Sequence, residues 1–103
     1  MKTVNYTRED IIRRAGDTLN LTHDEMKIIL DTILDTMAAI LTEKRSRIRI
    51  ELRNFGIFEV KPTRAKPKAR NPRTNEVVYV PPRRKIHFKP GKIIRQELQL
   101  EWT

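Results

Sequence analysis

All six prolines of this 103-residue chain fall between Pro62 and Pro90, and its excess charge falls with them. From Lys61 to Lys92 there are eleven Lys or Arg and a single acid, Glu76, a net +10 over 32 residues. The other 71 residues carry eleven basic and twelve acidic groups, a net −1. Residues 62–71 hold no large apolar side chain, so this stretch cannot fold by packing on itself. Pro62, Pro67, Pro81 and Pro82 cannot donate to a sheet ladder, which confines any strands here to sheet edges. Val77-Val78-Tyr79-Val80 nevertheless has strong β character, and Asn71-Pro72-Arg73-Thr74-Asn75 is a turn signal. The expected structure is a two-stranded ribbon over residues 62–82 with Pro72 at its tip. The eleven steps from Lys61 to Pro72 would extend about 35 Å. A segment so charged repels itself, and a polyanion relieves the repulsion. Nucleic acid is the foremost such partner, with a merely solvated basic loop as the plain alternative.

The first half of the chain has a different rhythm. Thr7-Arg8-Glu9-Asp10 resembles a helix-capping box with Asp in place of Glu, followed by Ile11, Ile12, Ala15 and Leu19 at helical spacing. Gly16 weakens this helix by roughly 1 kcal/mol relative to Ala and leaves its end open. Thr22-His23-Asp24-Glu25 is a fuller box. Behind it Met26, Ile29, Leu30, Ile33, Leu34, Met37, Ile40 and Leu41 form a wide apolar stripe that needs a partner surface. Residues 1–45 therefore read as a helical hairpin ending near Glu43-Lys44. At Arg47 the period drops to two. Ile48, Ile50 and Leu52 alternate with charged residues, Asn54-Phe55-Gly56 can turn tightly, and Phe58 and Val60 share the inner face of a returning strand. Residues 46–61 read as a β-hairpin. Residues 83–103 return through Ile86 and Phe88 and start a helix at Lys89-Pro90-Gly91-Lys92, with Pro90 suited to its first position.

Enzymatic chemistry finds no support. The only glycines are Gly16, Gly56 and Gly91, so there is no phosphate-cradling loop. His23 and His87 are isolated, and neither a metal site nor a cofactor is expected. There is no cysteine to build a disulfide framework. Met1 to Tyr6 has no apolar run behind it, and no stretch approaches 18 apolar residues. The expectation is a cytoplasmic, single-domain protein of residues 1–103, with no membrane and no small-molecule substrate. Its hydrophobic fraction of 38% makes a thin core, which favours a second subunit.

Three motifs in order resemble the bacterial histone-like HU and integration host factor family. Asn54-Phe55-Gly56-Ile57-Phe58-Glu59-Val60 is similar to the family's G-F-G-x-F strand turn. Ala69-Arg70-Asn71-Pro72-Arg73-Thr74-Asn75-Glu76 is like its G-R-N-P-x-T-G-E tip, and Phe88-Lys89-Pro90-Gly91-Lys92 is identical to its F-K-P-G-K helix start. The resemblance covers nearly the whole chain. It implies an α+β fold: an intertwined dimer, homodimeric or heterodimeric with a paralogue, with a helical base, a β-sheet saddle and two β-ribbon arms. It places Phe55, Phe58 and Phe88 in a shared dimer core and makes Pro72 the residue that intercalates between base pairs. Nucleoid organisation, binding of double-stranded DNA in the minor groove and assembly of nucleoprotein complexes follow from the same resemblance. Asn54 and Asn75 stand where the family has Gly, and Asn tolerates a positive φ better than most residues. Ala69 also replaces a Gly of the tip motif.

The residues expected to bind DNA fall into groups. Arg64, Lys66, Lys68, Arg70 and Arg73 alternate with short or proline residues along the arm and would meet phosphates, with Asn71 and Pro72 between them at the tip. Arg83, Arg84, Lys85, Lys89 and Lys92 flank the last helix, whose unpaired N–H groups suit a phosphate. Arg53 would read the minor groove, with Glu51 holding it in place; a simple ion pair on the strand face is the alternative. Two rival functions remain at this level: an RNA- or ribosome-associated basic protein, and an adaptor whose arm binds an acidic protein. Tyr79 is the arm's only aromatic, which disfavours single-stranded RNA.

Overall fold

The computed structural model describes residues 2–102, apart from the side chains of residues 66 and 67. The chain is α+β and divides into two compact units, Met1–Thr42 and Glu43–Thr103.

The first unit is a pair of helices, α1 (Arg8–Leu19) and α2 (His23–Leu41). Each starts where the sequence offers a cap. Asp10 accepts from the Thr7 N–H at 2.8 Å and from its hydroxyl at 3.2 Å. Thr22 Oγ1 accepts from the Glu25 N–H at 3.2 Å, while Glu25 accepts from the Thr22 N–H at 2.9 Å. Both boxes satisfy amides that a helix start leaves unpaired. α1 runs through Gly16 and ends only at Asn20, which adopts the left-handed conformation with φ 56°. Gly16 is buried against α2, where a β-carbon would meet Leu21 O at 3.4 Å and Met26 Cβ at 3.6 Å, ordinary contact distances that do not demand glycine. Ile12 and Met26 are the buried apolar residues of this unit among those described.

Among its described residues, the second unit holds five strands and a helix. β1 (Ile48–Leu52), β2 (Gly56–Pro62) and β5 (Arg84–Pro90) form an antiparallel sheet in the order β1-β2-β5. β3 (Lys66–Arg70) and β4 (Val77–Val80) form a separate two-stranded ribbon, and α3 (Lys92–Gln99) closes the chain. The β1–β2 connection is tight. The Phe55 N–H donates to Leu52 O at 3.0 Å, and Asn54 supplies the left-handed residue with φ 66°. Gly56 serves a different need. A β-carbon there would sit 2.6 Å from both Lys89 O and the Phe88 ring, so only glycine lets β5 approach.

Pairing Ile50 with Phe58 and Phe58 with Phe88 sets which side chains share a face. Ile48, Ile50, Leu52, Phe58, Val60, Ile86 and Phe88 fall on one side. Arg49, Glu51, Ile57, Glu59, Lys61, Lys85, His87 and Lys89 fall on the other. Phe88 stacks at an angle on Phe58 (centroids 4.9 Å) and on Phe55 (5.5 Å), yet Phe55 and Phe88 remain 49% and 43% exposed.

The last helix begins later than its sequence suggests. Pro90 is the final residue of β5, opposite Gly56, and Gly91 is the N-cap. The Gly91 N–H donates to Phe55 O at 2.8 Å, which ends the strand against the turn before the helix can start.

Candidate nucleic-acid interface

The charged face of the sheet is the first part of the site. Its centre is Glu59, which pairs with Lys89 Nζ at 2.7 Å and Lys61 Nζ at 3.7 Å. The bond from Lys89 holds the Glu59 carboxyl below the usual carboxylate range, with Lys61 and Arg49 adding to the effect. Lys85 lies on the same face, beside Lys61 across the ladder. The sequence groups Lys85 and Lys89 around the start of the last helix; the structure places them on this sheet face, with Glu59, Lys61, Arg49 and His87, which the sequence reading does not single out. Their signal was present, since the alternation that turns Phe58 and Val60 inward turns Glu59 and Lys61 outward.

Arg84 sits apart from Lys85 and Lys89, on the opposite face of the sheet. Its guanidinium donates to two carbonyls of the 43–45 loop, Glu43 O at 2.5 Å and Arg45 O at 3.0 Å. Here it fastens the loop that leads into β1.

Arg53, in the β1–β2 turn, lines an open groove of about 520 Å³ together with Glu51, Leu52, Asn54, Ile57 and Gly91. The groove thus joins Arg53 to the start of α3. Gly91 has no side chain to accept from the amides of the first turn of α3, so the helix starts without a side-chain cap. Lys92 is exposed beside them. Among the described residues, no ion pair joins Glu51 to Arg53.

The ribbon of β3 and β4 pairs only with itself. Its register places Ala69 opposite Val78 and Arg70 opposite Val77, but Lys66 opposite Val80. Three steps along β3 thus match two along β4, and the extra residue is a bulge beside Pro67, which has no N–H to offer the ladder. The bulge shifts the phase of the alternation, so Arg64, Lys66, Lys68 and Arg70 do not continue one regular row. Arg64, Lys68 and Arg70 are exposed; the Lys66 side chain lies outside the described residues.

The tip is closely tied. Asn75 N–H donates to Asn71 O at 2.7 Å, Asn71 N–H to Glu76 O at 2.8 Å, and Arg73 N–H to Asn71 Oδ1 at 2.9 Å. Arg70 Nη1 reaches across to Asn75 Oδ1 at 3.3 Å, and Asn75 takes the left-handed φ of 61°. Asn71 is therefore the organiser of the turn, half-buried, while Pro72 and Arg73 are left exposed at its apex. Tyr79 and Val77 are also exposed, at 62% and 56%. The site combines an exposed apolar ring at a braced apex, cations behind it, and a charged sheet face at its root. Such an arrangement suits a ligand that is both polyanionic and stacked.

Comparison with known proteins agrees with this geometry. A model of the bacterial DNA-binding protein family matches residues 6–99. The DNA-binding protein HU of Thermotoga maritima is 31% identical over 93 residues, covering 90% of this chain and 99% of that protein. An integration host factor alpha subunit from Psychrobacter cryohalolentis is 34% identical over 92 residues, 89% of each chain. A beta subunit from Alkalilimnicola ehrlichii is 37% identical over 86 residues, 82% of this chain and 80% of that one. The fold is similar to that in an Anabaena HU–DNA cocrystal structure, with a TM-score of 0.78 and 23% identity over 91% of this chain and 98% of the other.

Proposed function

The chain belongs to the bacterial DNA-binding protein family, and we propose that it is a dimeric architectural protein that bends duplex DNA through the minor groove. The observation that carries this reading is the tip of the ribbon: Pro72 exposed on a turn braced by Asn71, with Arg70 and Arg73 on either side. A proline ring is rigid, apolar and without an N–H to desolvate, so it can enter a base step at little cost to the protein. Unstacking the step costs energy that contacts to the bent duplex offset, as minor-groove architectural proteins such as integration host factor and HU exemplify. Arg64, Lys66, Lys68, Arg70 and Arg73 supply phosphate contacts along the arm, and Lys85, Lys89 and Lys92 supply them at its root. Arg53 reads the width or edges of the groove. Arg84 contributes indirectly, by holding the 43–45 loop.

Dimerisation belongs to the same proposal. Phe55, Phe58 and Phe88 form a cluster whose outer rings are half exposed, and the α2 stripe is uncovered at Ile29, Ile33 and Leu34. A second subunit, identical or paralogous, covers these faces and carries the second arm. The setting is the bacterial nucleoid; among the described residues, no helix is long and apolar enough to cross a membrane.

The decisive experiment is energy transfer between the ends of a short duplex, titrated with wild type and Pro72→Ala at 50 and 200 mM salt. Wild type is expected to draw the ends together, and Pro72→Ala to bind with most of the affinity but much less bending. Affinity of both falls by about a thousandfold or more between the two salts if six or more phosphates are neutralised. Binding without approach of the ends would remove the wedge. Preference for structured RNA, insensitive to Pro72, would replace the reading altogether.

A further inference from the structure

The three-stranded sheet ends with Pro62 opposite Arg84, and the arm begins with Lys66 opposite Val80. Between them lie two three-residue joints, 63–65 and 81–83. Pro81 and Pro82 have no N–H, so Arg83 holds the only backbone donor on its side of the joint. A regular antiparallel rung would exchange two bonds, each N–H donating to the opposite carbonyl. Half of that rung forms: the Thr63 N–H donates to Arg83 O at 2.6 Å. The other half is diverted. The Arg83 N–H donates to the Thr63 hydroxyl oxygen at 2.9 Å, and the same hydroxyl donates to Arg83 O at 3.0 Å. A side-chain oxygen thus stands in for the Thr63 carbonyl, and the ladder stops here without stranding a donor. Among the described residues, these three are the hydrogen bonds that cross the joint.

We propose that Thr63 is a positioning residue whose hydroxyl sets the angle at which the arm leaves the sheet, and through that angle the extent to which bound DNA is bent. The inference rests on the DNA-bending reading above, but Thr63 acts through the arm. The chemistry requires a hydroxyl, because only a group that both donates and accepts can serve the Arg83 N–H and carbonyl together. Valine has the same shape without that capacity and leaves the Arg83 N–H with no protein partner. Serine keeps it.

The test compares wild type, Thr63→Val and Thr63→Ser by two readouts. The first is amide hydrogen exchange at Arg83 in the free protein, with the amides of β1 and β2 as internal reference. The second is end-to-end energy transfer in a short duplex at saturating protein. Thr63→Val is expected to speed Arg83 exchange about tenfold with the β1–β2 amides unchanged, the size of one lost hydrogen bond. It also lowers and broadens the transfer efficiency while the salt slope of affinity stays as in wild type; Thr63→Ser restores both. Wild-type exchange at Arg83 or wild-type transfer efficiency in Thr63→Val overturns the proposal. So does loss of protection throughout the sheet, which would make Thr63 a residue of general stability. If wild type itself never draws the ends together, the bending reading falls, while exchange at Arg83 still judges the clasp.

Discussion

Single side chains in this protein are chosen for where a charge or a positive φ must sit. Among the described residues, Asn20, Asn54 and Asn75 hold the left-handed non-glycine positions, at φ 56°, 66° and 61°. Two of these, Asn54 and Asn75, were legible through the family resemblance, because they stand where its turns carry Gly. Glu59 was not singled out, although it governs the charged face of the sheet by holding Lys89 and Lys61. On the proposed function, phosphates compete with this carboxylate for both lysines. Glu59→Gln is therefore expected to raise affinity for duplex DNA about two- to fivefold at low salt, the range of one exposed charge pair. An unchanged or lower affinity in a direct titration would show that the carboxylate orders the lysines more than it occupies them. A second pair lies between the helices, with His23 Nε2 2.7 Å from Glu9 Oε2. The bond to Glu9, aided by Asp24, raises the His23 pKa above its ordinary value of 6.5, and the same bond lowers that of Glu9 below 4.5. The histidine's contribution to stability is fully present below 6.5 and is lost as pH rises through its raised value. That of Glu9 is present above 4.5 and is lost as pH falls through its lowered value. The pair is thus most effective between 4.5 and 6.5, and NMR titration of His23 should show a midpoint that falls toward 6.5 in Glu9→Gln.

At the scale of elements, the switch of period from helical to alternating separated the two helices from the β1–β2 hairpin, because periodicity reports which face is buried. The arm ribbon was legible instead from its prolines, its turn signal and the β character of Val77 to Val80. Phase within an element was harder to read. The four alternating cations of residues 64–70 suggest one row, but the bulge beside Pro67 breaks it, and a bulge depends on the partner strand's register. Arg84 was grouped with Lys85 by adjacency, yet neighbours in a strand point to opposite faces, and only the pairing with Pro62 shows which face is whose. The start of α3 moved for a similar reason: Phe55, far away in sequence, claims the Gly91 amide. Gly56 illustrates how closely these elements meet. Gly56→Ala puts a methyl 2.6 Å from the Lys89 carbonyl oxygen and is expected to destabilise by about 1–3 kcal/mol or more, as overpacking does. Denaturant unfolding checks this, and a midpoint equal to wild type would mean that β5 can retreat from β2 at no cost.

For the molecule as a whole, the notable quantity is how little one chain buries. Ile12, Met26 and Val60 are its buried apolar residues among those described, while Ile28, Ile33, Phe55, Ile86 and Ile93 are each about half exposed or more. Exposure of that much apolar surface favours association, since each fully buried aliphatic side chain stabilises by about 1.5–3 kcal/mol. Thermal unfolding should accordingly depend on protein concentration, with Tm rising on each tenfold increase, as for any dimer whose subunits fold together. A concentration-independent Tm with a monomeric mass by sedimentation would refute the shared core.

Sequence alone determined the class of element over most of the chain, though not at Lys89 and Pro90, together with the concentration of positive charge between residues 61 and 92 and the turn that presents Pro72. These are local properties: periodicity, proline placement and capping chemistry act over a few residues. Tertiary structure decided which face each charge occupies, that Glu59 restrains two of the lysines, that Arg84 serves a loop, and that Thr63 replaces a carbonyl where the arm begins. All four depend on which strand lies opposite which, a relation set by burial and register over distances of twenty to forty residues, to which local propensity is blind.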